Sequence, residues 1–190
     1  GFWTRGGAAQ SFEDCVARNN LGWGFYTECG PSAVVYRLKS YSNSGPGAGG
    51  DCGGPTRYID SQMYKNTGFG VLVSMPTELI NCTVADNAGP SVYVTQTTVL
   101  VRNSVITGVA LPTVAGGIMD IDYSLVEGGK AGIVRPYEAN LTYGPNNLTT
   151  DPKFVSAATG DYRLADNSPA IGAGGPDRKS TRLNSSHTDI

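Results

Sequence analysis

A short segment recurs along this chain at intervals of about 21 residues, and few folds accommodate such a period. Phe12-Glu13-Asp14-Cys15-Val16-Ala17, Tyr58 to Met63, Leu79 to Val84, Val101 to Ile106 and Ile121 to Val126 align on a small residue, with Arg37 to Ser42 a looser member. The anchor column reads Cys15, Ser40, Ser61, Cys82, Ser104 and Ser124, with steps of 25, 21, 21, 22 and 20. Two positions on stand Ala17, Ser42, Met63, Val84, Ile106 and Val126, mostly apolar. One position before stand Asp14, Lys39, Asp60, Asn81, Asn103 and Tyr123, mostly polar. That alternation is the pattern of a half-buried strand.

In three units the match continues downstream. Asn20, Asn66 and Asn87 share a column, as do Gly22, Gly68 and Gly89, and Gly24-Phe25-Tyr26, Gly70-Val71-Leu72 and Ser91-Val92-Tyr93 then coincide without a gap. Each unit therefore reads as strand, Asn-Gly turn, strand, turn and a short third strand such as Thr98-Val99-Leu100. The chain lacks the regular leucines of a leucine-rich repeat, and a sandwich would not hold Asn in a fixed column. The pattern predicts an all-β fold: a right-handed, single-stranded parallel β-helix of about six coils with a C-terminal cap. Equivalent residues of successive coils would stack about 4.8 Å apart. Inward Val, Ile and Met would pile into one core, and the turn Asn side chains would bond up the stack. Asn and Gly also suit left-handed turn angles, and parallel crossovers are almost always right-handed. Residues 43–56, rich in Gly and Pro, interrupt the series and read as a long loop leaving the second coil.

Composition agrees. There are 26 Gly and 11 Pro in 190 residues, too many for a helical bundle because both disfavour helix interiors. A net charge of −2 gives no electrostatic footprint for nucleic acid, and no apolar run approaches the ~20 residues of a membrane span. The expected state is a monomer.

Both ends carry readings of their own. The chain starts at Gly1 without Met or a basic-then-apolar leader, which reads as the interior of a longer protein. Residues 177–187, Asp177-Arg178-Lys179-Ser180-Thr181-Arg182-Leu183-Asn184-Ser185-Ser186-His187, resemble a one-frame translation of a common sequencing adaptor. The expected organisation is thus coils over 1–127, truncated at the N-terminus, a connecting loop and capping segment over 128–176, and a disordered adaptor-derived tail over 177–190. Setting aside that tail's three basic and two acidic residues takes the net charge from −2 to −3. It also removes His187, the sole histidine, and with it His-dependent nucleophilic catalysis and His-ligated zinc.

The remaining chemistry is sparse. Cys15 and Cys82 fall in the small inward column and read as packing residues, whereas Cys29 and Cys52 lie in loops one coil apart and can bridge, a pairing that would favour an oxidising compartment. No residue set has metal-ligand spacing. Chemistry on sugars calls for paired carboxylates. Asp120 and Asp122, two apart on one strand and hence on one face, are the catalytic candidates. Arg102 shares the column of Asp122 one coil earlier, so a stacked ion pair accounts for Asp122 equally well. Tyr26, Tyr64 and Tyr93 are the substrate-binding candidates, as outward rings able to stack on sugars, although Tyr is also a favourable strand residue.

The C-terminal segment carries a family likeness. Asn147-Leu148, Asp151-Pro152-Lys153-Phe154, Gly160-Asp161-Tyr162-Arg163-Leu164 and Ser168-Pro169-Ala170-Ile171-Gly172-Ala173-Gly174 follow one another in order. This resembles the closing segment of choice-of-anchor Q proteins, right-handed β-helices similar to the pectate-lyase-like superfamily. Gly172 departs from the Asp usual there. The resemblance implies a bacterial exported or cell-surface protein that binds or processes polysaccharide. Its mechanism would be lyase- or glycosidase-like, with Ca²⁺ as the cofactor the resemblance allows. The alternative is a non-catalytic surface stalk or adhesin. Phe154, Tyr162, Leu164 and Ile171 would cover the open end of the last coil, with Asp161 and Ser168-Pro169 as turn residues.

Overall fold

Corners organise this chain. Asp14, Arg37, Asp60, Asn81, Asn103 and Tyr123 all hold φ between 51° and 54°, left-handed angles recurring once per turn. In the computed structural model, which describes residues 1–108, 112–136 and 139–175, each of these residues bends the chain from one sheet into the next. The segment aligned in the sequence is thus a bend joining two strands, for example Thr77–Ile80 and Thr83–Ala85 on either side of Asn81.

Three parallel sheets result. Sheet 1 stacks Phe2–Arg5, Phe25–Glu28, Ala48–Asp51, Val71–Val73, Val92–Val94 and Thr113–Val114. Sheet 2 stacks Gln10–Glu13, Ala33–Tyr36, Thr56–Ile59, Thr77–Ile80, Thr98–Arg102, Ile118–Asp122 and Asn140–Tyr143. Sheet 3 stacks Val16–Arg18, Lys39–Tyr41, Gln62–Tyr64, Thr83–Ala85, Val105–Ile106 and Leu125–Val126. Each strand pairs in parallel with its equivalent one turn away, as Leu79 does with Tyr58 and Val101. The whole is a right-handed parallel β-helix of about six turns. Its core is a set of vertical columns, among them Val35, Tyr58, Leu79, Val101 and Ile121 from sheet 2.

The register corrects the second coil. Ala17, not Cys15, lies beside Ser40. The anchor column therefore runs Cys15, Leu38, Ser61, Cys82, Ser104, Ser124, with steps of 23, 23, 21, 22 and 20. Residues 43–56 are not an inserted loop but an ordinary turn of the helix. Asn43 joins the asparagine column, Ala48–Asp51 is a strand of sheet 1, and Thr56 begins a strand of sheet 2. Glycine disfavours strands in isolation, but here neighbours fill the space its side chains would take. A Cβ on Gly50 would meet Thr27 Oγ1 at 2.2 Å and Met75 Cε at 2.7 Å.

The asparagines serve hydrogen bonding rather than backbone angle. The left-handed residues of that corner are Asn19, Ser42, Lys65 and Asp86, each one position before the column Asn20, Asn43, Asn66, Asn87. Asn20 Nδ2 donates to Asn43 Oδ1 (2.7 Å), Asn43 Nδ2 to Asn66 Oδ1 (2.9 Å) and Asn66 Nδ2 to Asn87 Oδ1 (2.9 Å). A second ladder runs through the anchor column. The amide of Cys82 donates to Ser104 Oγ (3.0 Å), that of Ser104 to Ser124 Oγ (3.1 Å) and that of Ser124 to Asn147 Oδ1 (3.0 Å).

Coil register runs past residue 127. Val134 bridges to Thr113, Asn140–Tyr143 adds a seventh strand to sheet 2, and Leu148 bridges to Leu125. The chain then turns back along the outer face of sheet 3. Phe154–Ser156 and Asp161–Leu164 form an antiparallel hairpin there. Tyr162 packs on Tyr64 and Ala85, while Leu164 and Ala170 pack on Val105 and Leu125. The expected end cap is therefore a lateral flap, because outward Tyr64, Ala85, Val105 and Leu125 form an apolar stripe that needs covering. Ile171, expected in that cap, remains 41% exposed. Ser168 acts as a turn residue, its hydroxyl donating to Pro152 O (2.6 Å). The adaptor-like stretch 177–190 lies outside the described residues.

Candidate functional site

Each sheet presents one outer face, and the three differ in chemistry. The face of sheet 3 is largely taken by the flap. Tyr41 and Tyr64 stack with rings 4.9 Å apart and 3° between planes, Tyr162 lies 4.6 Å from Tyr64, and the Tyr162 hydroxyl donates to Asp86 Oδ2 (2.6 Å). Tyr64, expected as an exposed sugar platform, is buried at 7% exposure. The hairpin that buries it follows 90 residues later, beyond the reach of any local pattern.

The face of sheet 2 is a lattice of mutually engaged charges. Arg57 pairs with Glu78 (2.8 Å), and Arg37 pairs with Asp14 (2.6 Å) and Glu13. Asp120 and Asp122 do project on one side of their strand, as expected from their spacing. The ion pair, however, is Arg102 with Asp120 (2.9 Å), not with the in-register Asp122. A diagonal reach lets the guanidinium also donate to Val101 O and Asp120 O, both at 2.9 Å. Asp122 instead accepts from the Tyr123 amide (2.9 Å), the Asn146 amide (3.1 Å) and Asn146 Nδ2 (3.2 Å). It organises the last bend.

The face of sheet 1 is aromatic. Register places Trp3, Tyr26, Gly49, Leu72, Tyr93 and Thr113 in one outward column and Arg5, Glu28 and Asp51 in the next. The preceding turns add Trp23 and Phe69. Trp23 lies 4.8 Å from Tyr26, Trp3 lies 6.3 Å from Tyr26, and Phe69 stacks on Tyr93 at 4.6 Å and 20°. Gly49 makes room for this arrangement. A Cβ there would sit 2.9 Å from the Trp23 ring and 2.4 Å from Leu72 O, and its φ of +150° lies outside the usual range for side-chain-bearing residues. A cleft of about 650 Å³ lined by Trp3, Asn20, Leu21, Trp23 and Tyr26 opens onto the stripe.

Polar groups flank these rings. Trp3 Nε1 donates to Glu28 Oε2 (3.2 Å), and Arg5 Nε lies 3.6 Å from the same oxygen. Burial pushes the Tyr26 hydroxyl up to about 12, and its hydrogen bond to Asp51 adds to the shift. It is a neutral donor across the ordinary pH range. Cys29 and Cys52 are joined by a disulfide (S–S 2.00 Å) at the edge of the stripe. Among the described residues, the one close grouping of metal-ligand types is Cys29, Asp51 and Cys52. Two of these sulfurs are spent in the disulfide, leaving one carboxylate where Ca²⁺ takes six to eight oxygens. That donor set does not fit calcium.

Of the stripe, sequence reading isolates Tyr26 and Tyr93 but not Trp3, Trp23, Glu28 or Phe69. Their signal is the downstream column itself: carrying Tyr26 back by 23 residues reaches Trp3. That step is visible only once Asn43 is recognised as a ladder member.

Neither a protein-family model nor a curated protein sequence matches the chain. Two solved structures resemble it. A crystal structure of pectate lyase Pel9A aligns at a TM-score of 0.56 and 15% identity, covering 94% of this chain and 66% of that one. The A-module of the mannuronan C-5 epimerase AlgE4 from Azotobacter vinelandii aligns at a TM-score of 0.28 and 12% identity, over 77% of this chain and 59% of that one. The chain thus spans about two thirds of the pectate lyase's length and shares with it the parallel β-helix fold.

Proposed function

We propose that this chain is an exported β-helix that binds polysaccharide along the outer face of sheet 1. One observation carries the reading: Trp3, Trp23, Tyr26, Phe69 and Tyr93 line a single outward stripe, while the face of sheet 3 is largely covered by the flap and that of sheet 2 carries ion pairs. Aromatic faces pack on the apolar C–H faces of pyranose rings, and rungs about 4.8 Å apart repeat at roughly the length of one sugar residue. The fold shared with a pectate lyase supports a polysaccharide role, and the Cys29–Cys52 disulfide supports an oxidising, extracellular setting. Binding is the activity favoured, because Asp120 and Asp122 are occupied by Arg102 and by the bend at Asn146. The C-terminal flap is read as a choice-of-anchor Q type closing segment.

Affinity electrophoresis against a panel of soluble polysaccharides tests this reading. Retardation by at least one polymer, weakened about tenfold or more by Trp23→Ala or Tyr26→Ala, is the expected result. Retardation indifferent to both substitutions would place binding elsewhere.

A further inference from the structure

Resting on that reading, the charge of the stripe assigns the class of sugar. The five sheet 1 strands from Phe2–Arg5 to Val92–Val94 carry three charged side chains, Arg5, Glu28 and Asp51. The turns that lead into them, Asn20 to Gly24, Asn43 to Gly47, Asn66 to Gly70 and Asn87 to Ser91, carry none. The single cationic side chain, Arg5, already lies 3.6 Å from Glu28, and the α-amino group of Gly1, at the edge of the cleft, donates to Asn20 Oδ1. The side chains of the stripe sum to one net negative charge, with both carboxylates beside the rings.

We infer that the stripe takes a neutral, hydroxyl-rich glycan and rejects polyuronates such as pectate. A polyuronate spanning five rungs would bring one carboxylate per sugar onto a face whose one cationic side chain among the described residues, Arg5, already sits beside Glu28. Those carboxylates would lose hydration without compensation and face like charges. Neutral pyranoses present what the face can use. Their C–H faces stack on Trp23 and Tyr26, and their hydroxyls donate to Glu28 and Asp51, which are acceptors only. Calcium bridging would rescue an acidic chain, but among the described residues the one close grouping of metal-ligand types at the stripe offers a single carboxylate, Asp51, beside the Cys29–Cys52 disulfide.

The test is a titration of the oxidised 190-residue chain with two probe sets, neutral oligosaccharides (galactan, xylan, mannan and β-glucan fragments) and oligogalacturonate, each with calcium and with chelator. At least one neutral fragment should bind tenfold or more tighter than oligogalacturonate in both conditions, with little salt dependence. The double variant Glu28→Gln, Asp51→Asn should narrow that ratio by improving acceptance of the acidic fragment. Oligogalacturonate binding as tightly as any neutral fragment, and lost in Trp23→Ala, would overturn this inference while leaving the glycan stripe intact. Absence of binding by either set would overturn the stripe itself.

Discussion

Asn66 Oδ1 accepts two hydrogen bonds from Asn43, one from its backbone amide (3.1 Å) and one from its side chain (2.9 Å), while Asn66 Nδ2 donates to Ser40 O (3.0 Å). Each rung of the ladder thus satisfies the buried amide of the rung before. Asn66→Ala leaves the Asn43 amide without its acceptor and takes one donor from the Ser40 carbonyl, at a cost of about 1–3 kcal/mol. Asn66→Asp keeps the shape but loses the donor and buries a charge, so it should cost at least as much. Urea unfolding of both variants checks the order.

Burial sets an alkaline limit on stability. Desolvation raises the Cys82 thiol from its ordinary 9.0 to about 12. Between those values the unfolded thiol is ionised and the native one is not, so the native state binds more protons and stability falls as pH rises from about 9 toward 12. Tyr58, fully buried, is shifted upward for the same reason and deepens the loss. Cys82→Ser, matching its column neighbours Ser61 and Ser104, should flatten the onset near pH 9 in thermal melts. A thiol reagent should modify half-buried Cys15 in the native protein and reach Cys82 only on unfolding.

Tyr162 latches the flap. Tyr162→Phe keeps the ring against Tyr64 and Phe154 but deletes the bond to Asp86, an expected loss of about 0.5–1.5 kcal/mol. Hydrogen exchange should quicken across 154–164, with protection of the sheet 1 and sheet 2 amides unchanged. Uniformly faster exchange would mean that the flap is integral to the coil.

The two aspartates of sheet 2 should separate by stability rather than by sugar binding. Asp122→Ala deprives the Tyr123 and Asn146 amides of their acceptor and should cost about 1 kcal/mol or more. Asp120→Ala removes a partly exposed ion pair and should stay within about 1 kcal/mol. Neither should change glycan affinity by more than about twofold, as read by calorimetry.

Much of the fold is legible in the sequence because stacking forces equivalent positions to repeat. Asn20, Asn66 and Asn87 give the coil, and Ser61, Cys82 and Ser104 give the inward column. The second coil is misread because Leu38 fills a small-residue position and the glycine-bearing segment Ala48–Asp51 forms a strand that local propensity disfavours. Neighbouring Trp23, Thr27 and Met75 supply what those glycines lack. The flap hides for a different reason: Tyr162 meets Asp86 across 76 residues, and nothing periodic links them. Asp120 is placed on the correct face, but its partner is diagonal, and column alignment points only to in-register pairs.

Trp3 and Trp23 are the two tryptophans of the chain, and both lie on the stripe. Intrinsic fluorescence titrated with a neutral oligosaccharide therefore reads the proposed surface directly. A saturable change in emission should appear, with the same midpoint as calorimetric binding, and the midpoint should weaken at least tenfold in Tyr26→Ala. Calorimetric binding with unaltered tryptophan emission would contradict the assignment of sheet 1 as the glycan face.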